Sequence, residues 1–128
     1  MNKIYKLDDN LEIINKPDDK DIMQYQHNSV NLRILFPSIE GMSSAIKLVY
    51  NNEGTSGVFN VEALATDNGN ELQMDFPIPQ PCNLKDGKLK FWLVLRWVTN
   101  DIITRLQFSQ TMVLNVVKSD IVDDLLVE

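Results

Sequence analysis

The sequence predicts an all-β sandwich. Apolar residues recur with a period of two in stretch after stretch, as they do where alternate strand side chains face a core. Clusters of Gly, Pro, Asn and Asp separate these stretches at short intervals, giving about eight strands. Helical spacing is almost absent before Ser119.

The longest such stretch, Lys88 to Val98, organises the rest. Leu89, Phe91, Leu93, Leu95 and Trp97 share one parity and should face the core together. Lys88, Lys90, Trp92, Val94, Arg96 and Val98 form the opposite, mixed face. Trp92 and Trp97 differ in parity, so an unbulged strand cannot bury both on one side. Either a loop or the N-terminal stretch covers Trp92, or Trp92 and Val94 belong to a face that meets a partner. Thr99-Asn100-Asp101 is a tight turn. It leads into a returning strand with Ile102, Thr104, Leu106 and Phe108 on one face and Ile103, Arg105, Gln107 and Ser109 on the other. That alternation predicts one dry and one wet face. Thr111 to Val117 reads as a third strand, with Met112, Leu114 and Val116 together.

Upstream, Lys3 to Leu7 and Leu11 to Ile14 are short strands broken by Asp8-Asp9-Asn10. The loop Lys16 to Asp21 carries three acids but lacks the glycine and closing glutamate of a calcium loop, so it reads as a solvated loop. Val30 to Phe36 is a half-buried strand ended by Pro37. Ala45 to Tyr50 follows, then a turn over Asn51 to Gly57. In Val58 to Ala65 both parities are apolar, so periodicity leaves its inner face open. Glu71 to Phe76 is a further strand, and Pro77, Pro79 and Pro81 mark an extended crossover. At the end, Ser119 can cap a short helix on which Ile121, Val122, Leu125 and Leu126 make one apolar stripe. A helix of two turns is unstable alone and needs a surface, on its own sandwich or on another copy. The expected organisation is a sandwich over residues 1–118 and a short helix or tail over 119–128.

The chain has 128 residues, enough for one domain, and a formal net charge of -6. No basic stripe exists to displace counterions from nucleic acid, and the negative charge opposes adhesion to anionic membranes. The N-terminal residues lack a signal-peptide apolar run, and no apolar run is long enough to span a bilayer, so synthesis and retention in the cytosol are expected. A single cysteine, Cys82, excludes an internal disulfide. With one cysteine and one histidine, His27, the chain cannot supply the usual zinc ligands. Neither residue sits in a setting that marks a nucleophile or base, and no phosphate-binding glycine loop is present. No catalytic, metal or cofactor site is therefore expected. Exposed aromatics, Trp92 with Tyr5, Tyr25 or Tyr50, would instead suit a carbohydrate-binding module.

Four features together resemble the N-terminal domain of baseplate upper proteins of phages infecting Gram-positive bacteria. They are the opening strand Lys3 to Leu7, the approach Gln24 to Leu32, the long aromatic strand with its partner, and the closing run Phe108 to Val116 before a short helical segment. The resemblance spans most of the chain. It implies an immunoglobulin-like antiparallel sandwich in the virion tail of a phage or prophage, docking host-recognition parts onto other tail or baseplate proteins. It also implies a homo-oligomer, a trimer being one form, and an interface drawing on Trp92, Val94, Ile121, Val122, Leu125 and Leu126.

Overall fold

A computed structural model describes residues 2–26, 28–38 and 46–119. Among them are eleven strands: β1 (Asn2–Leu7), β2 (Ile13–Asn15), β3 (Asp21–Met23), β4 (Asn31–Pro37), β5 (Ile46–Asn52), β6 (Thr55–Val61), β7 (Leu64–Ala65), β8 (Glu71–Pro77), β9 (Gly87–Thr99), β10 (Ile102–Phe108) and β11 (Met112–Val117). A 3-10 turn over Gln80–Cys82 interrupts the proline crossover. One sheet runs β2-β1-β4-β8-β7 and the other β3-β11-β9-β5-β6, with β10 also paired to β9. The all-β expectation is met. The sheets are mixed rather than purely antiparallel, because β1 runs parallel to β4 and β3 parallel to β11. The strand count exceeds the expected eight in part because the stretch Val58 to Ala65 divides into β6 and β7, and because β3 is too short to register as a periodic stretch. The expected helix of Ile121, Val122, Leu125 and Leu126, and His27, lie outside the described residues.

The long strand β9 forms as its pattern requires. It has no internal Gly or Pro, and strands pair with it along both edges. Along one edge it pairs with β5 from Leu89↔Asn52 to Leu95↔Ile46. Along the other it pairs with β11 near its start, from Gly87 to Phe91, and with β10 near its end, from Val94 to Thr99. The returning chain therefore does not form two further strands side by side. It runs once along β9 with a break at Ser109-Gln110-Thr111.

That break is bridged by side chains. Leu93 N–H donates to Ser109 Oγ at 2.8 Å, and Ser109 N–H donates to the Leu93 carbonyl at 3.0 Å. Gln110 turns to the other sheet: its N–H donates to the Leu11 carbonyl and its Oε1 accepts Ile13 N–H, at 2.9 and 2.8 Å.

Leu89, Phe91, Leu93 and Leu95 are fully buried and Trp97 nearly so, facing Tyr5, Leu7, Leu32, Ile34, Phe36 and Met74 of the opposite sheet. Tyr50, Phe59, Phe76 and Phe91 form a chain of ring contacts across the core, at centroid separations of 5.2, 4.9 and 6.1 Å. The stretch left open by periodicity is thereby settled: Phe59, Val61 and Ala63 pack inward, while Val58 and Leu64 are exposed. The expected turn over Asn51 to Gly57 is shorter than predicted. Asn52 pairs with Thr55, and Glu53 and Gly54 make a two-residue hairpin loop, both at positive φ. Gly57 is needed because the Tyr50 ring lies across it, 2.6 Å from where a Cβ would stand.

Candidate protein-interaction face

β9 carries no bulge between its two tryptophans; buried and half-buried residues alternate from Phe91 to Trp97. Trp92 and Val94 are therefore on the outer face of the second sheet, together and half-buried. Register extends this face across neighbouring strands. Trp92 lies opposite Val49 of β5, and Val49 opposite Val58 of β6. Val94 lies opposite Phe108, Arg96 opposite Leu106, and Val98 opposite Ile103, all in β10.

The dry face expected for β10 is overturned. Phe108 is 60% exposed, Leu106 49% and Ile103 48%. The register shift between Ile103 and Arg105 explains part of this. Thr104 is the extra residue, its Oγ1 donating to the Trp97 carbonyl at 3.2 Å, so Ile103 joins Leu106 and Phe108 on the outer face. The polar residues consequently point the other way. Arg105 is opposite Trp97 and stacks on its ring with the guanidinium carbon 4.4 Å from the centroid, and Gln107 is opposite Leu95. β10 thus carries Ile103, Leu106 and Phe108 on the outer face and Arg105 and Gln107 on the other, and from Ile102 to Leu106 it is exposed on both. Contiguous exposed apolar side chains on one strand mark a place for a contact.

Apart from β3, which carries Asp21 at the far edge, the charge of this sheet also departs from that of the chain. β5, β6, β9, β10 and β11 contain Lys47, Lys88, Lys90, Arg96 and Arg105 and no Asp or Glu. The whole chain has a net charge of -6. Lys47 is bonded to Asn60 Oδ1, and Lys88 Nζ to Asn115 Oδ1 at 2.7 Å. Arg96 Nε is shielded from solvent and, among the described residues, has no hydrogen-bond partner.

The other residues singled out by sequence are engaged elsewhere. Cys82 is fully buried, and burial pushes its thiol up to about 12, so the thiolate is scarce at neutral pH. Tyr5 and Tyr50 are buried, which removes two of the three rings that could have joined Trp92 in a sugar platform. The Tyr5 hydroxyl instead donates to the Val113 carbonyl at 2.5 Å, linking the two sheets, and burial raises its phenol. In the acidic loop, Asp19 Oδ1 accepts Asp21 N–H at 2.9 Å and its Oδ2 lies 3.4 Å from the buried Lys3 ammonium. The backbone bond from Asp21, then Lys3, hold the Asp19 carboxyl below the usual carboxylate range. Among the described residues no group of His, Cys, Asp and Glu is arranged to hold a metal, and no helix is long and apolar enough to cross a membrane. A concavity of about 700 Å³ lies between β6, β7 and β8, lined by Asn60, Leu64, Asp67, Gln73 and Asp75 among others. Asp75 there is bound by Arg33, Nε to Oδ1 at 2.7 Å.

No protein-family model matches the chain, and no curated protein matches it. The fold does have a solved counterpart. The chain is similar in fold to the N-terminal domain of phage TP901-1 ORF48. The TM-score is 0.55 over 90% of this chain and 97% of that one, at 8% sequence identity. At that identity the likeness concerns backbone architecture, and no residue role passes between the two chains.

Proposed function

We propose that this chain is a non-enzymatic structural component of a phage or prophage tail baseplate, docking other parts through its surface. The fold shared with a phage protein domain supports a structural phage role. The observation that carries the docking reading is the outer face of β9 and β10, where Leu106 and Phe108 are exposed beside the half-buried Trp92 and Val94. An exposed apolar patch rimmed by polar groups is the usual mark of a protein contact.

We read the sandwich as immunoglobulin-like. Support comes from the order of its central strands: β4-β8-β7 in one sheet and β11-β9-β5-β6 in the other follow the B-E-D and G-F-C-C′ orders of variable-type domains. The parallel pairing of β1 with β4 is its departure from that pattern. Residues 1–118 are on this reading the docking domain, and residues 119–128 a short helix or tail. The oligomer expected from the baseplate resemblance belongs to the same proposal.

Immunogold labelling of particles from the encoding phage or induced prophage tests the reading. Label at the distal end of the tail is the expected result. Particles assembled without the protein would overturn it.

A further inference from the structure

We infer that the outer face of β9 and β10 receives residues 120–128 of a second copy of this chain. The segment Asp120-Ile121-Val122-Asp123-Asp124-Leu125-Leu126-Val127-Glu128 is apolar and acidic, with no Lys or Arg. The face is apolar and basic, with Phe108, Leu106 and Val94 beside Arg96 and no acid on its strands. The two match in both respects: apolar side chains to cover apolar surface, and carboxylates for the Arg96 guanidinium, which sits in the row between Val94 and Val98.

Geometry excludes the same copy as the donor. Val116 is paired with Gly87 at the start of β9, and Ser119 lies three residues further from Phe108 along that direction. The Val94–Phe108 row is therefore roughly 33 Å from Ser119, and the Arg96–Leu106 row roughly 40 Å, at about 3.3 Å per strand residue. Leu125 and Leu126 reach at most about 24 Å from Ser119 in a fully extended chain. The segment can meet these rows only on a neighbour. The contact is then heterologous, one copy's segment on the next copy's face, which builds rings or open chains rather than a two-fold dimer. This goes beyond the baseplate reading and does not depend on it, since such association is a property of the purified chain.

The test uses two full-length variants that each lose one side of the contact. Phe108→Glu disables the face at an exposed position, and a Leu125→Asp, Leu126→Asp double substitution disables the segment. Sedimentation velocity over a concentration series should show the unmodified chain associating and each variant associating at least tenfold more weakly. Far-ultraviolet circular dichroism and thermal unfolding should remain those of the parent. Mixed in equal amounts, the two variants should form a dimer and stop there, because one intact face and one intact segment remain. Arg96→Glu should weaken association, and a further Asp123→Lys, Asp124→Lys change should restore part of it. A parent chain that stays monomeric throughout, variants that associate like the parent, or a mixture that forms no dimer would each overturn the inference. Loss of tail labelling with association intact would overturn only the baseplate reading.

Discussion

Replacing Ser109 with alanine should cost far more than one oxygen atom suggests. The side chain stands where the return along β9 is interrupted, and its Oγ is the acceptor for Leu93 N–H at 2.8 Å. Leu93 is fully buried and Ser109 is 8% exposed, so water cannot take over that acceptor without opening the sheet. The same hydroxyl donates to the Gln110 carbonyl at 3.0 Å, which holds the turn that sends Gln110 toward Leu11 and Ile13. Leaving one buried donor unpaired costs about 1–3 kcal/mol. The alanine methyl recovers little, because the volume is nearly unchanged. A loss near 2 kcal/mol would lower the unfolding temperature by on the order of 8 °C in a domain of this size. Urea unfolding followed by tryptophan fluorescence should show a lower midpoint with an unchanged slope. Hydrogen exchange supplies the site-specific readout, since the Leu93 amide should lose protection while that of Leu48 in β5 keeps it. A destabilisation below about 0.5 kcal/mol, with Leu93 protection retained, would refute the account of the break.

Other outcomes follow from the same kind of accounting. Asn52 is fully buried, donating to the Lys85 and Lys88 carbonyls and accepting from Lys85 N–H, so Asn52→Ala should destabilise by roughly 2–4 kcal/mol in denaturant unfolding. Arg105→Ala uncovers the Trp97 ring, and in a Trp92→Phe background the emission maximum should move to the red; an unmoved maximum would mean the guanidinium does not shield the indole. Cys82 should resist a water-soluble thiol reagent in the folded protein and react fully in urea, whereas prompt labelling under native conditions would contradict its burial. The Asp75 carboxyl is held below its ordinary 3.8, chiefly by the hydrogen bond from Arg33. Its stabilising contribution is therefore present above pH 3.8 and lost as pH falls through the lower folded value. Asp75→Asn should flatten stability in that acidic window by well under about 1 kcal/mol, the pair being largely exposed, and a change centred at neutral pH would contradict the assignment.

The core was legible because period-two patterning is a local property. Leu89 to Trp97, Leu32 to Phe36, and Met112 to Val116 each declared their inner face without reference to any neighbour. Pairing was not legible, because direction and partner depend on distant segments. Nothing in Asn2 to Leu7 specifies a parallel partner, and nothing in Met112 to Val117 says that it extends the line of β10 rather than flanking it. The candidate face was half legible. The parity clash between Trp92 and Trp97 identified Trp92 as displaced from the core, but Phe108 and Leu106 were assigned to the dry face and Ile103 to the wet one. Their alternation is that of a buried strand, and only the register against β9 shows that its apolar side is the wrong one for the core. The signal that could have found them was the pairing of a mixed β9 face, with Arg96 and Val98, to whatever strand returned beside it.

This arrangement lets folding and contact be changed separately. Along β9 the odd residues are committed to the interior and the even residues to the outer face, with no bulge to mix them. Phe91→Ala should cost roughly 3–5 kcal/mol, since it empties a fully packed site. Phe108→Glu, at a position mostly in water, should change stability by no more than about 0.5 kcal/mol. On β10, Ile103, Leu106 and Phe108 stand in solvent on the outer face. An uncovered apolar strand edge is a liability in a free chain, and it becomes an asset when a second surface closes over it.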